Sequence, residues 1–248
     1  MRRSLTEIAN SKTSPTTGPI DKGTIHNGRH SYTYFYDKLF SDLRDEPILM
    51  LEIGVCGGGS LKMWYEYFPN ATIIGLDIND ESELSNDRTH VYQLDQSNDY
   101  QLESFVKQCE EKGYEFDIII DDGSHHMRDQ QVTLGYLFPL LKSKGIYVIE
   151  DLHTSLADNG FPLYGKYLDI RPNRYNTTLF YLAESLNSLY LKDNVQEIKP
   201  YSNNQYRVNN LKRQKSVLLR TKSGTGSDVG PYFITDSSGY YDKSLLTL

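Results

Sequence analysis

The sequence predicts an α/β protein with a mostly parallel sheet covered by helices on both faces. Three observations carry this. Five short apolar runs that read as buried strands alternate with segments long enough for helices, the pattern of βαβ units feeding a parallel sheet. The runs close on glycine or on an acid at their carboxyl ends. A chain of 248 residues with 38% hydrophobic and 24% charged side chains has the size and composition of a globular domain with a full core.

Residues 1 to about 30 are rich in Ser, Thr, Pro, Gly and Asn without clean periodicity and are expected to form a mobile arm. Tyr32, Phe35, Tyr36, Leu39 and Phe40 then recur at helical spacing, which predicts a helix with one face in the core. Pro47–Gly54 reads as the first strand, and Ser60–Tyr67 as a helix with Ser60 near its cap. Ala71–Asp77 and His90–Asp95 are the second and third strands, followed by a helix over Asp99–Glu111 that Gly113 stops. Phe116–Asp122 is the fourth strand, a helix follows over 129–141, and Gly145–Glu150 is the fifth strand. A helix over 177–191 and late strands Val195–Tyr201 and Ser216–Thr221 complete a seven-stranded sheet. From Lys222 the Gly/Ser-rich sequence reads as a tail with Tyr232-Phe233-Ile234 and Leu245-Leu246 as anchors.

Composition excludes several classes. The net charge of −7, from 26 basic against 33 acidic residues, opposes a nucleic-acid binder. The trio Lys212, Arg213 and Lys215 reads as a solvated turn. Cys56 and Cys109 form no CxxC or Cys/His cluster, which argues against a disulfide framework and a structural zinc site. No apolar window approaches the roughly 18 residues of a spanning helix. The opening Met-Arg-Arg-Ser-Leu-Thr-Glu lacks the apolar stretch of a secretory signal, so a cytoplasmic protein is expected.

In an open parallel sheet, ligands bind outside the carboxyl ends of the strands. The first strand ends in Glu52-Ile53-Gly54-Val55-Cys56-Gly57-Gly58-Gly59-Ser60, a glycine loop feeding a helix, where backbone can approach a ligand. The second ends at Asp77, 23 residues beyond Gly54, where an acid accepts hydrogen bonds from ribose hydroxyls. This predicts nucleotide-type binding. Cys56 stands where a Gly-x-Gly-x-x-Gly dinucleotide motif wants glycine, which counts against NAD. The fourth strand ends in Asp121-Asp122-Gly123-Ser124-His125-His126 and the fifth in Glu150-Asp151-Leu152-His153. Neighbouring strands lie about 4.8 Å apart, so Asp122, Glu150 and Asp151 are expected to converge. Three such carboxylates repel, which makes a hard divalent cation the natural neutraliser, Mg²⁺ rather than zinc. His125, three residues after Asp122, suits a general base. His126 and His153 carry no separate assignment, His153 being expected to hydrogen-bond behind the site.

The order Leu-Glu-Ile-Gly-x-x-x-Gly-Gly-Ser, Gly-Leu-Asp, Asp-Asp-Gly-Ser-His and Glu-Asp-Leu-His-Thr-Ser resembles class I S-adenosylmethionine-dependent methyltransferases. More narrowly it is similar to the metal-dependent sugar O-methyltransferases of macrolide and bacterial glycan biosynthesis. The resemblance covers roughly residues 20–155. It implies a Rossmann-like fold in which Glu52, Gly54 and Ser60 line the S-adenosylmethionine site. It implies further that Asp77 holds the ribose, Asp95, Gln96 and Ser97 face the adenine, and Asp121 closes the methionine end. Asp122, Glu150 and Asp151 match the family's Mg²⁺ ligands and His125 its base. Asp21-Lys22-Gly23 and His30-Ser31-Tyr32 resemble a segment that covers the active site. The expected organisation is then an arm and covering helix over 1–45, a methyltransferase domain over 46–221 and a tail over 222–248. The resemblance also implies a homo-oligomer.

The function so implied is methyl transfer to a sugar hydroxyl of a glycan, capsule or natural-product glycoside, with Mg²⁺ chelating neighbouring hydroxyls. A nearer rival is the same chemistry on a catechol. An NAD-dependent sugar oxidoreductase would want Tyr-x-x-x-Lys after the fourth or fifth strand, but Tyr34 and Lys38, the pair present, precede the first. A non-catalytic nucleotide-binding module leaves the clustered acids without purpose.

Overall fold

The computed structural model describes residues 2–16, 18–24, 32–151 and 178, together with the backbone of strands over 195–198, 217–221 and 231–233. The chain forms two compact units, Met1–Asp95 and Gln96–Leu248.

In the first unit, α1 (Leu5–Asn10) opens on a capping box in which Ser4 accepts from the Glu7 N–H and the Glu7 side chain accepts from the Ser4 N–H. The stretch expected as an aperiodic arm therefore contains a capped helix. Its apolar face, Leu5, Ile8 and Ala9, is buried, and α1 packs on α2 (Thr33–Phe40) and α3 (Gly59–Tyr67). One turn and a half of apolar spacing is too short to register as periodicity; the Ser-x-x-Glu signature was the available cue. Between α1 and α2, β1 (Thr13–Ser14) and β2 (Gly18–Pro19) pair antiparallel as a small hairpin.

The aromatic stripe of α2 is core, as its spacing predicts. Tyr36 stacks on Phe40 with centroids 5.2 Å apart, and both meet Trp64 of α3 edge-on at 5.6 and 5.8 Å. Each such pair adds roughly 0.5–1.5 kcal/mol beyond area burial. Tyr34 and Lys38 lie on another face of α2, with Lys38 Nζ 4.2 Å over the Tyr34 ring. That is a surface stack and no hydride-transfer pair.

Strands β3 (Leu49–Ile53), β4 (Thr72–Asp77) and β5 (Thr89–Gln93) run parallel in the order β5-β4-β3. β3 and β4 are buried along nearly their whole length, which is why they read as unbroken apolar runs. Arg88 donates to the carbonyls of Tyr65, Phe68 and Ala71 and so closes the carboxyl end of α3.

In the second unit, α4 (Asp99–Lys112) is capped by Asn98, which accepts from the Tyr100 and Gln101 N–H groups, and is stopped by Gly113 at φ 65. β6 (Phe116–Asp121) and β7 (Leu141–Ile149) are parallel neighbours with Asp121 in register with Ile149. α5 (Met127–Leu137) gives way to a 3-10 turn containing Pro139. β7 begins at Leu141, earlier than predicted, because an irregularity with Lys144 at φ 66 lets the polar stretch before Gly145 join the strand. β8 (Val195–Ile198) and β9 (Val217–Thr221) are antiparallel, matching the two late strands predicted. β10 (Pro231–Phe233) runs parallel to β7 and antiparallel to β9, inside the segment expected as an anchored tail. The predicted helix over 177–191, apart from Thr178, lies outside the described residues, as do His153 and the basic trio at 212–215. Among the described residues no helix is long and apolar enough to cross a membrane.

Candidate active site

The predicted nucleotide end lies in the first unit. Gly54 follows β3 at φ 89, and the loop continues through Cys56 at φ 44, Gly57 at φ 73 and Gly58 at φ 77 before α3 begins. The carboxylate of Asp77, at the end of β4, pins this loop. Its Oδ2 accepts from the Val55 and Cys56 N–H groups at 2.8 and 3.0 Å, and its Oδ1 accepts from the Asn79 backbone and side-chain amides at 2.9 and 3.2 Å. These four contacts match the roughly four lone-pair positions of a carboxylate.

Glu52 is fully buried. Its carboxylate accepts from the Ser60 hydroxyl at 2.8 Å and the Trp64 indole N–H at 3.1 Å. Ser60 lies in the first turn of α3, near the cap as expected, and Gly58 in left-handed geometry is the cap residue itself. Glu52 and Ser60, both expected around the cofactor, bind each other and fix α3 to the end of β3. Asp95, half-buried, closes this unit.

In the second unit Gln96 is buried and its amide donates to both oxygens of Asp121, at 2.8 and 3.0 Å. Its carbonyl oxygen accepts from the Ser124 N–H at 2.8 Å. Gln96 thus ties the segment before α4 to the loop after β6, a role that a lone Gln gives no sequence signal for. Ser97 is exposed and its carbonyl accepts from Arg128 at 3.1 Å. Burial pushes the Asp121 carboxyl up to about 7, against the hydrogen bonds from Gln96 and Gly123. Burial, reinforced by the nearby Asp121 charge, also raises the Tyr147 phenol well above its ordinary value.

The sharpest feature follows from the parallel pairing of β6 and β7. Asp122, His125 and Asp151 each offer a ligand atom, and these atoms lie within 4.8 Å of one another. His125 Nε2 is 3.7 Å from Asp151 Oδ2. The carboxylates of Asp122 and Asp151 are oxygen donors that fit a divalent cation, with the His125 imidazole beside them. Glu150, expected with them, is buried and stands outside this group. Its backbone N–H donates to the Asp121 carbonyl at 2.8 Å, and its carbonyl accepts from Gln130 at 3.2 Å. Gln130 in turn accepts from the Thr178 hydroxyl at 2.8 Å, so α5 braces the turn that carries Asp151. Ser124 Oγ donates to Asp129 at 2.7 Å and accepts from the His126 N–H at 3.1 Å, which shapes the loop around His125.

Ser14 and Thr16 were missed from sequence. Both hydroxyls donate to the Cys56 carbonyl, at 2.8 and 3.1 Å. The turn signal Ser-Pro-Thr-Thr-Gly-Pro could have marked their hairpin.

The family described as Methyltransferase domain matches residues 48–199. Over 143 residues the chain is 40% identical to 8-demethyl-8-(2-methoxy-alpha-L-rhamnosyl)-tetracenomycin-C 3'-O-methyltransferase of Streptomyces olivaceus, covering 55% of this chain and 35% of that protein. Over 164 residues it is 38% identical to mycinamicin VI 2''-O-methyltransferase of Micromonospora griseorubida, covering 63% of this chain and 39% of that protein. The chain therefore spans well under half the length of these curated relatives. Among solved structures, MycE methyltransferase from the mycinamycin biosynthetic pathway, in complex with Mg, SAH and mycinamycin VI, aligns with a TM-score of 0.66 at 28% identity over 89% of this chain and 55% of that chain. The fold is accordingly the Rossmann-like α/β methyltransferase fold.

Proposed function

This chain belongs to the methyltransferase-domain family, and from that premise we propose that it is an S-adenosylmethionine- and Mg²⁺-dependent O-methyltransferase acting on a sugar hydroxyl of a glycan or natural-product glycoside. The carrying observation is the convergence of Asp122, His125 and Asp151. Two carboxylates able to hold a metal, with an imidazole beside them, suit deprotonation of an alcohol. The relatives support the acceptor class, being named for O-methylation in rhamnosyl-tetracenomycin and mycinamicin biosynthesis. The MycE structures hold Mg and SAH, which supports the cofactor pair.

In this reading the glycine loop from Gly54, with Glu52 and Ser60 behind it and Asp77 at its side, receives the adenosyl cofactor. Asp77 takes a ribose hydroxyl in place of the Asn79 side-chain amide, the longest of its four contacts. Asp95, Gln96 and Ser97 serve the adenine end, and Asp121 the methionine end. Asp122 and Asp151 hold the cation, with Glu150 behind them.

When bound, S-adenosylmethionine supplies an electrophilic methyl group and the divalent cation lowers the pKa of an acceptor hydroxyl. His125 would take the acceptor hydroxyl proton at Nε2, and Asp151 Oδ2, 3.7 Å away, would stabilise the imidazolium so formed. Holding donor and acceptor in line would add to the acceleration. The protein is further read as a cytoplasmic homo-oligomer without a nucleic-acid partner.

The test is calorimetric titration of S-adenosylhomocysteine and NAD into metal-stripped protein, with and without Mg²⁺. Methylation of a rhamnosylated polyketide and of a catechol is then compared by mass spectrometry. Binding of S-adenosylhomocysteine with methylation of the glycoside is expected. Binding of NAD alone overturns the reading, and methylation of the catechol alone replaces its acceptor.

A further inference from the structure

The small N-terminal hairpin grips the glycine loop at one peptide. Cys56 is exposed and stands at φ 44, a left-handed geometry that glycine adopts freely and a residue with a Cβ does not. Its N–H donates to Asp77 Oδ2 at 3.0 Å. Its carbonyl accepts from Ser14 Oγ at 2.8 Å and Thr16 Oγ1 at 3.1 Å, and Thr16 Oγ1 also lies 3.7 Å from Cys56 Sγ. The next residue shows how close the approach is. A Cβ on Gly57 would stand 2.6 Å from Ser14 Oγ and 2.9 Å from Thr16 Oγ1. Ser14 Oγ and Thr16 Oγ1 are themselves 2.7 Å apart, and Ser14 Oγ also accepts from the Thr16 N–H at 3.2 Å. Both hydroxyls thus lie against the Cys56 carbonyl, with Ser14 the nearer donor, and Thr16 shares its proton between that carbonyl and Ser14 Oγ.

We propose that Ser14 and Thr16 are positioning residues for the cofactor loop, holding Cys56 in its left-handed conformation so that its N–H and that of Val55 stay on Asp77. The inference rests on the reading of residues 54–60 as the S-adenosylmethionine loop. Cofactor affinity in this protein then depends on docking of a segment some forty residues upstream in the chain, because the loop carries cysteine at a position that glycine would fill unaided. The hydroxyls act through the loop backbone and touch no reacting atom.

The experiment is a mutant cycle on the full chain, read as the dissociation constant of S-adenosylhomocysteine by calorimetry. The proteins are wild type, Ser14→Ala with Thr16→Val, Cys56→Gly, and the three changes combined. Loss of two hydroxyl hydrogen bonds is expected to weaken binding about ten-fold in the cysteine background. In the glycine background the same two changes are expected to cost less than about two-fold, because glycine holds positive φ without help. A merely structural role for the hairpin would weaken binding equally in both backgrounds. Equal losses, or no loss in the cysteine background, overturn the inference while leaving the loop reading intact. Failure of the wild type to bind S-adenosylhomocysteine overturns the loop reading and this inference with it. If the double variant does not fold, Thr16→Val alone is carried through the same cycle.

Discussion

His125 and Asp151 face each other across 3.7 Å from the ends of two neighbouring strands, and both hold left-handed backbone, at φ 59 and φ 55. Such geometry is uncommon outside glycine and costs energy that surrounding structure must offset. Here the bracing is visible in the hydrogen bonds of Ser124 and of Gln130. His125→Ala is expected to lower methyl transfer by about 10²–10⁴-fold while affinity for S-adenosylhomocysteine is retained. Parallel loss of ligand binding would mean that the imidazole organises the site and does not move the proton.

The metal assignment separates the three acids. Asp122 and Asp151 lie in the cluster with His125, and Glu150 does not. Asp122→Asn and Asp151→Asn are each expected to abolish saturable Mg²⁺ binding, measured by calorimetry on metal-stripped protein. Glu150→Gln, as a partner behind the ligands, is expected to weaken it by about 10–100-fold. Equal effects of all three changes would put Glu150 on the ion directly.

The parallel strands were legible because β3, β4 and β6 are buried along most of their length and so read as unbroken apolar runs. The strand-end acids were legible for the same reason, since charge at the end of an apolar run has few structural explanations. Partner choice was not. Ser60 reads as a residue near a helix cap, and nothing in the sequence names Glu52 as the buried acceptor of its hydroxyl. Gln96 is expected to face the adenine, and nothing in the sequence names Asp121 as the partner of its amide. α1 escaped because a helix of six residues carries too little periodicity, and the hairpin because its strands are two residues each.

The Glu52 carboxylate gives a stability prediction. It is wholly buried and held by the Ser60 hydroxyl and the indole of Trp64, the one tryptophan in the sequence. Ser60→Ala removes a donor and leaves a buried carboxyl oxygen without it, a change that costs about 1–3 kcal/mol. Urea unfolding followed by Trp64 fluorescence checks this. Ser60→Thr keeps the hydroxyl and is expected to recover part of the loss; equal loss in both variants would point to packing in place of the hydrogen bond.

The N-terminal segment gives a pH prediction. Glu66 of α3 accepts from Lys12 Nζ at 2.6 Å and from Arg3. The Lys12 hydrogen bond, with help from Arg3, holds its carboxyl below the ordinary value of 4.5 against partial burial. The unfolded chain then binds the proton more readily than the folded one. The pair's contribution is therefore present above 4.5 and is lost as pH falls through the lower folded value. Glu66→Gln is expected to cost about 0.5–1 kcal/mol at neutral pH, discounted for partial exposure, and to flatten the acid limb of stability. An unchanged acid limb would remove Glu66 from it.

The two thiols differ in a way that reports on the cofactor loop. Cys56 is exposed, whereas burial pushes the Cys109 thiol up to about 11. The thiolate is the reactive form, so a disulfide reagent is expected to modify one thiol quickly and the second only on unfolding. Cys56→Ser should abolish the fast phase. Because Cys56 lies in the loop proposed to receive the adenosyl ligand, saturating S-adenosylhomocysteine is expected to slow that phase, and NAD is not. Two fast thiols would contradict the burial of Cys109. A fast phase indifferent to S-adenosylhomocysteine would mean that the ligand does not cover Cys56, and the glycine loop would lose its assignment while the acid and histidine cluster kept its own.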